Sequence, residues 1–200
     1  RFVATMPTDE FPFPEERPEM TEYDMGTFLR AFRSAGASVS SDVTRGALIG
    51  VYADPEKKVL VGTDGRRLTR IPLADFPFKH DAVLPVSKAM MKRLPASGIG
   101  GVALTGDEHE RMFHITAGHM HYNCKCVPGT YPKYENVIPG DIRDFGITFS
   151  FGDADLDTLE MLAPNVKKDP HHTLYMAGRN GRVVAGINPE DSAVCTVTLP

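Results

Sequence analysis

At 200 residues with 42% hydrophobic content, the chain is long enough to bury a core and to form one or two domains. Its formal charge of −4 gives no general attraction to nucleic acid, so any phosphate contact must come from a local basic face; the lack of Trp argues against a carbohydrate or aromatic-cage protein. An odd set of cysteines (Cys124, Cys126, Cys195), no apolar run near about 18 residues and no signal-peptide pattern point to a cytoplasmic protein without membrane contact.

In chain order, one arrangement of elements recurs three times. The first unit spans residues 19–74. It has a short lead-in, a helix over 25–35, a small-residue loop over 34–42, and strands near 47–53, 58–63 and 67–72. Within it, Val-Gly-Thr-Asp-Gly-Arg-Arg-Leu-Thr-Arg alternates apolar and polar residues and turns at Asp64-Gly65. Asp-Gly supplies the positive-φ residues of a two-residue hairpin turn. The second unit begins at Asp81, with a strand over 82–84, a helix opened by Pro85 and capped by Ser87, and strands near 101–105, 112–117 and 119–127. The third has a strand at 147–151, a helix over 154–163 and strands near 173–177, 183–187 and 193–199.

Each helix carries one apolar stripe. Met25, Phe28, Leu29 and Phe32 share a face of the first and must cover a sheet, which sends Arg30 almost directly away and Arg33 to the side. In the second, Val86, Met90, Met91 and Leu94 form the buried side, with Lys92 opposite and Lys88 near it. The third departs from this pattern. Its stripe is Leu156, Leu159, Leu162 and Ala163, and its far side offers Asp157, Met161 and Asn165 with only Lys168 as a cation.

Reactive residues point to little chemistry. His119, His121, Cys124 and Cys126 are zinc-ligand types at close spacing, but strand alternation puts the histidines on one face and the cysteines on the other. His171-His172 reads as a solvated turn. Gly98-Ile99-Gly100-Gly101 lacks the Lys-Ser/Thr of a phosphate cradle. Asp153, Asp155 and Asp157 stand at a helix start, where carboxylates complement the dipole. No catalytic fingerprint is present and no cofactor is called for.

The order of elements, the Thr-Asp-Gly-x-Arg-Leu of residues 63–68 and the run over 118–134, closing on Gly129-Thr130-Tyr131-Pro132-Lys133-Tyr134, resemble the bacterial beta sliding clamp, the processivity ring of DNA polymerase III. Met6-Pro7 and Glu10-Phe11-Pro12 are similar to the last strand of that family's first domain and its linker. The resemblance implies an α+β fold of repeated β-α-β-β-β units, with helices on one face of antiparallel sheets. It divides the chain into the end of a first domain (1–18), a middle clamp domain (19–140) and the first half of a third (141–200), part of a longer protein, as the opening on Arg1 also suggests.

It further implies a non-enzymatic ring around double-stranded DNA, closed head to tail as a homodimer, that docks DNA polymerase III and the clamp loader through short linear peptides. The DNA-facing set is then Arg30, Arg33, Arg45, Lys88 and Lys92, since basic helix faces line such a hole. By the same resemblance Leu48, Thr63, Gly65, Arg66, Arg67, Leu68, Pro132 and Val137 form one wall of the peptide pocket. The chain departs from the family at Asp42, Gly46 and Ala47, where bulkier or polar DNA-contacting residues are usual, at Arg66 for a turn histidine and at Asn136 for a pocket-side arginine. These changes and the acidic third helix leave an alternative, a clamp-like adaptor that binds replication proteins without encircling DNA. A metal-binding enzyme built around residues 119–126 is the third reading.

Overall fold

The computed structural model describes residues 18–138, 152–161, 175–179, 182–186 and 196–199. The chain divides into two compact units, Arg1–Glu135 and Asn136–Pro200.

In the first unit, β1 (Thr21–Asp24) leads directly into α1 (Met25–Gly36). Helix α1 forms where the apolar stripe requires, and Asp24 caps it by accepting from the Thr27 N–H at 2.7 Å. After it come β2 (Gly50–Asp54), β3 (Val59–Thr63), β4 (Leu68–Pro72), β5 (Ala82–Pro85), α2 (Lys88–Arg93), β6 (Ile99–Thr105), β7 (Met112–Ala117) and β8 (Met120–Lys125). They make two antiparallel four-stranded sheets, β4-β3-β2-β5 and β1-β6-β7-β8. The fold is therefore α+β with antiparallel sheets, as the sequence implies.

The repeat units are less separate than their sequence order suggests. Strand β1 belongs to the first unit yet pairs with β6 of the second, Thr21 opposite Val102. Strand β5 opens the second yet pairs with β2 of the first, Val51 opposite Leu84. Each sheet thus borrows its lead strand from the other repeat, which ties the two into one domain. One core joins both: Phe28 and Phe32 of α1, Met90 of α2 and Leu94 at its C-cap pack with Leu60, Leu84, Phe113 and Ile115 from the two sheets. The rings of Phe28, Phe32, Phe78 and Phe113 meet at centroid separations of 5.8–6.5 Å.

Three local expectations are corrected. The strand placed at 47–53 begins only at Gly50, because Val43–Ile49 is 3-10 helical, broken at Gly46 with φ 53°. Asp42 starts that turn by accepting from the Thr44 N–H at 3.0 Å. The hairpin at Asp64-Gly65 is not a two-residue turn: Thr63 pairs with Leu68, leaving a four-residue loop in which only Gly65 has positive φ. Asp64 Oδ1 holds the loop by accepting from the N–H groups of Arg66 (2.9 Å) and Arg67 (3.0 Å). His119 lies in the turn before β8 rather than on the strand.

In the second unit, α3 (Asp153–Glu160) lies against β11 (Thr196–Leu199) of an antiparallel sheet ordered β11-β10-β9, with β9 at Tyr175–Arg179 and β10 at Arg182–Gly186. Asp155 Oδ2 accepts from the Gly152 N–H at 2.8 Å, the helix-start role expected of it. Leu156, expected in a buried stripe, is instead 51% exposed. The expected strand at 147–151, residues Leu162, Ala163, Asn165 and Lys168, and His171-His172 lie outside the described residues.

All five residues of β3 are buried. At its end Gly62 meets α1 so closely that an added Cβ would stand 1.9 Å from the Ala35 carbonyl oxygen. Gly62→Ala should therefore destabilise the domain by about 3 kcal/mol or more, beyond ordinary overpacking. Gly46→Ala has open space and only its backbone conformation, φ 53° with ψ −126°, to oppose it, and should cost less, about 1–3 kcal/mol. Urea unfolding of the two variants checks the difference.

Candidate functional site

Period-two alternation gives the sheet β4-β3-β2-β5 two apolar faces. Val51, Ala53 and Leu60 point toward the helices, while Val59, Val61 and Val83 point away. The far face is covered by the chain leaving β8. Cys126 N–H donates to the Arg111 carbonyl and Val127 N–H to that of Val83. Tyr131 then stacks on Tyr52 with centroids 4.7 Å apart and planes 6° from parallel. Tyr134 donates to the buried carboxylate of Asp54 at 2.8 Å. Around these tyrosines Ala47, Val59, Val61 and Val83 form a second buried cluster, with Leu48, Leu68, Tyr52 and Val127 packed against it.

That cluster brings together Leu48 and Leu68. Thr63 is buried, its hydroxyl donating to the Arg67 carbonyl at 2.6 Å. Pro132 is exposed between buried Tyr131 and Tyr134, and Val137, 71% exposed, belongs to the second unit. Gly65, Arg66 and Arg67 are exposed on the loop beside Leu68. Arg67 Nε lies 3.1 Å from Asp64 Oδ2, and Arg66 makes no ion pair among the described residues. Burial pushes the Asp64 carboxyl up, but the Arg66 and Arg67 N–H groups and the Arg67 guanidinium outweigh it, and the net shift is downward. Arg45, grouped by sequence with the DNA-facing residues, instead donates from Nη1 to the Asp64 carbonyl at 2.8 Å and so stands with this loop.

On the helix side of the same sheet, Arg30 and Lys92 are exposed. The Lys88 side chain lies outside the described residues. Arg33 is turned inward: its Nη2 donates to the carbonyls of Met91 (2.6 Å) and Leu94 (3.3 Å). The sheet separates Arg30 and Lys92 from Leu48 and Leu68.

The other reactive residues fall elsewhere. Cys124 and Cys126 face the core, where burial pushes their thiols up to about 12 and about 11; His121 is exposed. Among the described residues no group of three or more His, Cys, Asp or Glu is placed to hold a metal, and no helix is long and apolar enough to cross a membrane. Sequence reasoning passes over two features. His114 is buried between Thr105 Oγ1 (2.7 Å) and Asn123 Oδ1 (2.9 Å), which only strand register could reveal. A polar cleft of about 610 Å³, lined by Tyr52 and Tyr131 together with His80, Asp81, Glu108, His109 and Arg111, contains none of the residues assigned from sequence to DNA or to the peptide wall.

The tyrosines give the far face a measurable signature. Burial, reinforced at Tyr52 by Asp81, raises Tyr52 and Tyr131 to about 12, and burial with the bond to Asp54 raises Tyr134 further. An acid whose pKa is raised on folding stabilises the fold fully below its unfolded pKa, about 10 for Tyr, and loses that contribution as pH climbs through the folded value. Stability should thus fall from about pH 10 to pH 12, with tyrosinate absorbance of these residues lagging that of the unfolded chain. Tyr134→Phe should remove the last-titrating step and cost about 1–3 kcal/mol by taking the hydroxyl donor from buried Asp54.

No family model matches the chain. It is 30% identical over 146 residues to the beta sliding clamp of Pseudomonas aeruginosa, a match that covers 68% of this chain and 39% of the relative. Among solved structures, the DNA polymerase III beta chain of Streptococcus pneumoniae superposes with a TM-score of 0.69 at 16% identity, covering 98% of this chain and 53% of that one. The beta subunit of Pseudomonas aeruginosa gives 0.66 at 20% identity, covering 98% and 55%. By sequence and by fold, this chain is a relative of the bacterial beta sliding clamp, matched over about half or less of that protein's length.

Proposed function

We propose that the chain is the middle domain and the first half of the third domain of a sliding clamp of bacterial DNA replication. On this reading residues 1–18 close the preceding domain, 19–140 form the middle one and 141–200 begin the next. In the native protein two copies close head to tail into a cytoplasmic ring around double-stranded DNA. It carries out no reaction and confers processivity on DNA polymerase III by topology. Phosphate-facing cations attract the duplex without reading bases, which lets a ring slide.

The observation that carries the proposal is the two-sided sheet. Its helix side presents Arg30 and Lys92, and its far side gathers Leu48 and Leu68 beside Tyr131 and Tyr134 under a rim of Arg45, Arg66 and Arg67. Such a far side suits a short linear peptide of the polymerase or the clamp loader, with apolar anchors in the cluster and carbonyl or acidic groups at the arginines. Pro132, exposed beside Tyr131, would extend that wall.

One observation favours the adaptor that docks proteins without encircling DNA. Of the five basic residues assigned to the channel, Arg33 and Arg45 are engaged within the protein, and α3 carries Asp153, Asp155, Asp157 and Glu160 with no basic residue. In the native protein, Arg30→Ala with Lys92→Ala should shorten retention on circular duplex DNA and reduce the salt slope by about 0.9 for each phosphate no longer neutralised. Unchanged retention and slope would leave the adaptor. Leu68→Asp places an unpaired charge against the cluster and should weaken binding of a peptide with apolar anchors at least tenfold, about 1.4 kcal/mol, leaving DNA retention intact. Calorimetric titration with the peptide reads the outcome, and an affinity indifferent to Leu68→Asp would defeat the pocket.

A further inference from the structure

Arg33 lies on the helix side of the domain yet does not face solvent as Arg30 does. Helix α2 has only six residues, so nearly all its C-terminal carbonyls lack a partner within the helix. For Met91 the shortage is fixed by sequence, since the residue four positions on is Pro95, which has no N–H to give. Arg33 supplies the missing donor, with Nη2 at 2.6 Å from the Met91 carbonyl and 3.3 Å from that of Leu94. A cation at this end also complements the helix dipole. Two further observations show that the guanidinium is held in place. Its Nε is buried and has no hydrogen-bond partner among the described residues, a state that an arginine free to swing into water would leave. Beside it, the absence of a side chain at Gly36 lets Met91 and Val86 pack on the end of α1: an added Cβ there would stand 3.3 Å from Met91 Cε.

We propose that Arg33 is a positioning residue rather than a phosphate contact. It ties the C-terminal turn of α2 to α1 and thereby holds Lys92 at the helix surface where duplex DNA would pass. The second half of this statement rests on the DNA-facing reading above; the first does not.

The test compares Arg33→Met, which keeps an apolar stem and removes the donors, with Arg33→Lys, which keeps one charged donor. Hydrogen exchange at residues 91–94 of the native protein should quicken at least tenfold in Arg33→Met and recover in part in Arg33→Lys. Affinity for circular duplex DNA should fall at least threefold in Arg33→Met, with a salt slope reduced by no more than the one contact of Lys92, about 0.9, and Lys92→Ala should add little to either in that background. Three results would overturn the proposal. Unchanged exchange would remove the tie, a further slope reduction of about 0.9 when Lys92→Ala is added to Arg33→Met would make Arg33 a direct phosphate ligand, and faster exchange with unaltered affinity would leave a purely structural cap. If Arg30→Ala with Lys92→Ala has no effect on DNA, the DNA-facing reading fails by itself, and the exchange result still decides the tie.

Discussion

Val59–Thr63 keeps all five of its side-chain positions away from water, and strands with that property need a cover on each face. One cover is α1, which comes so close that only glycine fits at position 62. The other is the segment after β8, which returns from the second sheet and lays Tyr131 and Tyr134 on Val59 and Val61. The two covers differ in kind. A helix shields its own backbone and presents a polar outer surface. An irregular segment leaves gaps, and at its margin Leu48 and Leu68 are only half covered. The same buried strand thus produces a charged surface on one side and an incompletely covered apolar one on the other.

The exchange of lead strands makes these surfaces a single rigid system. With β1 in the second sheet and β5 in the first, neither repeat can move without breaking strand pairing in the other. Helices α1 and α2 share one core, and Arg33 bonds the second to the first. An acidic chain can therefore hold a few cations in fixed relation without being basic overall. Exposed ion pairs such as Arg67–Asp64 contribute under about 1 kcal/mol each, so apolar packing sets the geometry and the charges decorate it.

What can be read in the sequence follows from which signals are local. The stripe of Met25, Phe28, Leu29 and Phe32 specifies α1 and its buried face, and a short apolar run ending at the Asp64-Gly65 turn marks β3, because both depend on neighbours along the chain. Strand β1 is hidden in the sequence because only Tyr23 of its four residues turns even partly inward, so no alternation marks it. The Asp64-Gly65 loop is legible as a turn, but its length depends on Thr63 pairing with Leu68 across the ladder. Leu48 and Leu68, grouped by resemblance, do share a cluster. Arg33 and Arg45 show the limit of helical-wheel and positional reasoning: charge alone groups them with the channel, yet each is aimed by a carbonyl oxygen distant in sequence.

On the function proposed above, one sheet separates two independent surfaces, one for DNA on its helix side and one for a peptide on its far side. Side-chain footprinting of the native protein with circular duplex DNA, and separately with a peptide carrying apolar anchors, tests it most directly. DNA should protect Arg30 and Lys92 and leave Leu48 and Leu68 unchanged, and the peptide should do the reverse. Protection of Leu48 and Leu68 by DNA, or of Arg30 and Lys92 by the peptide, would contradict the account.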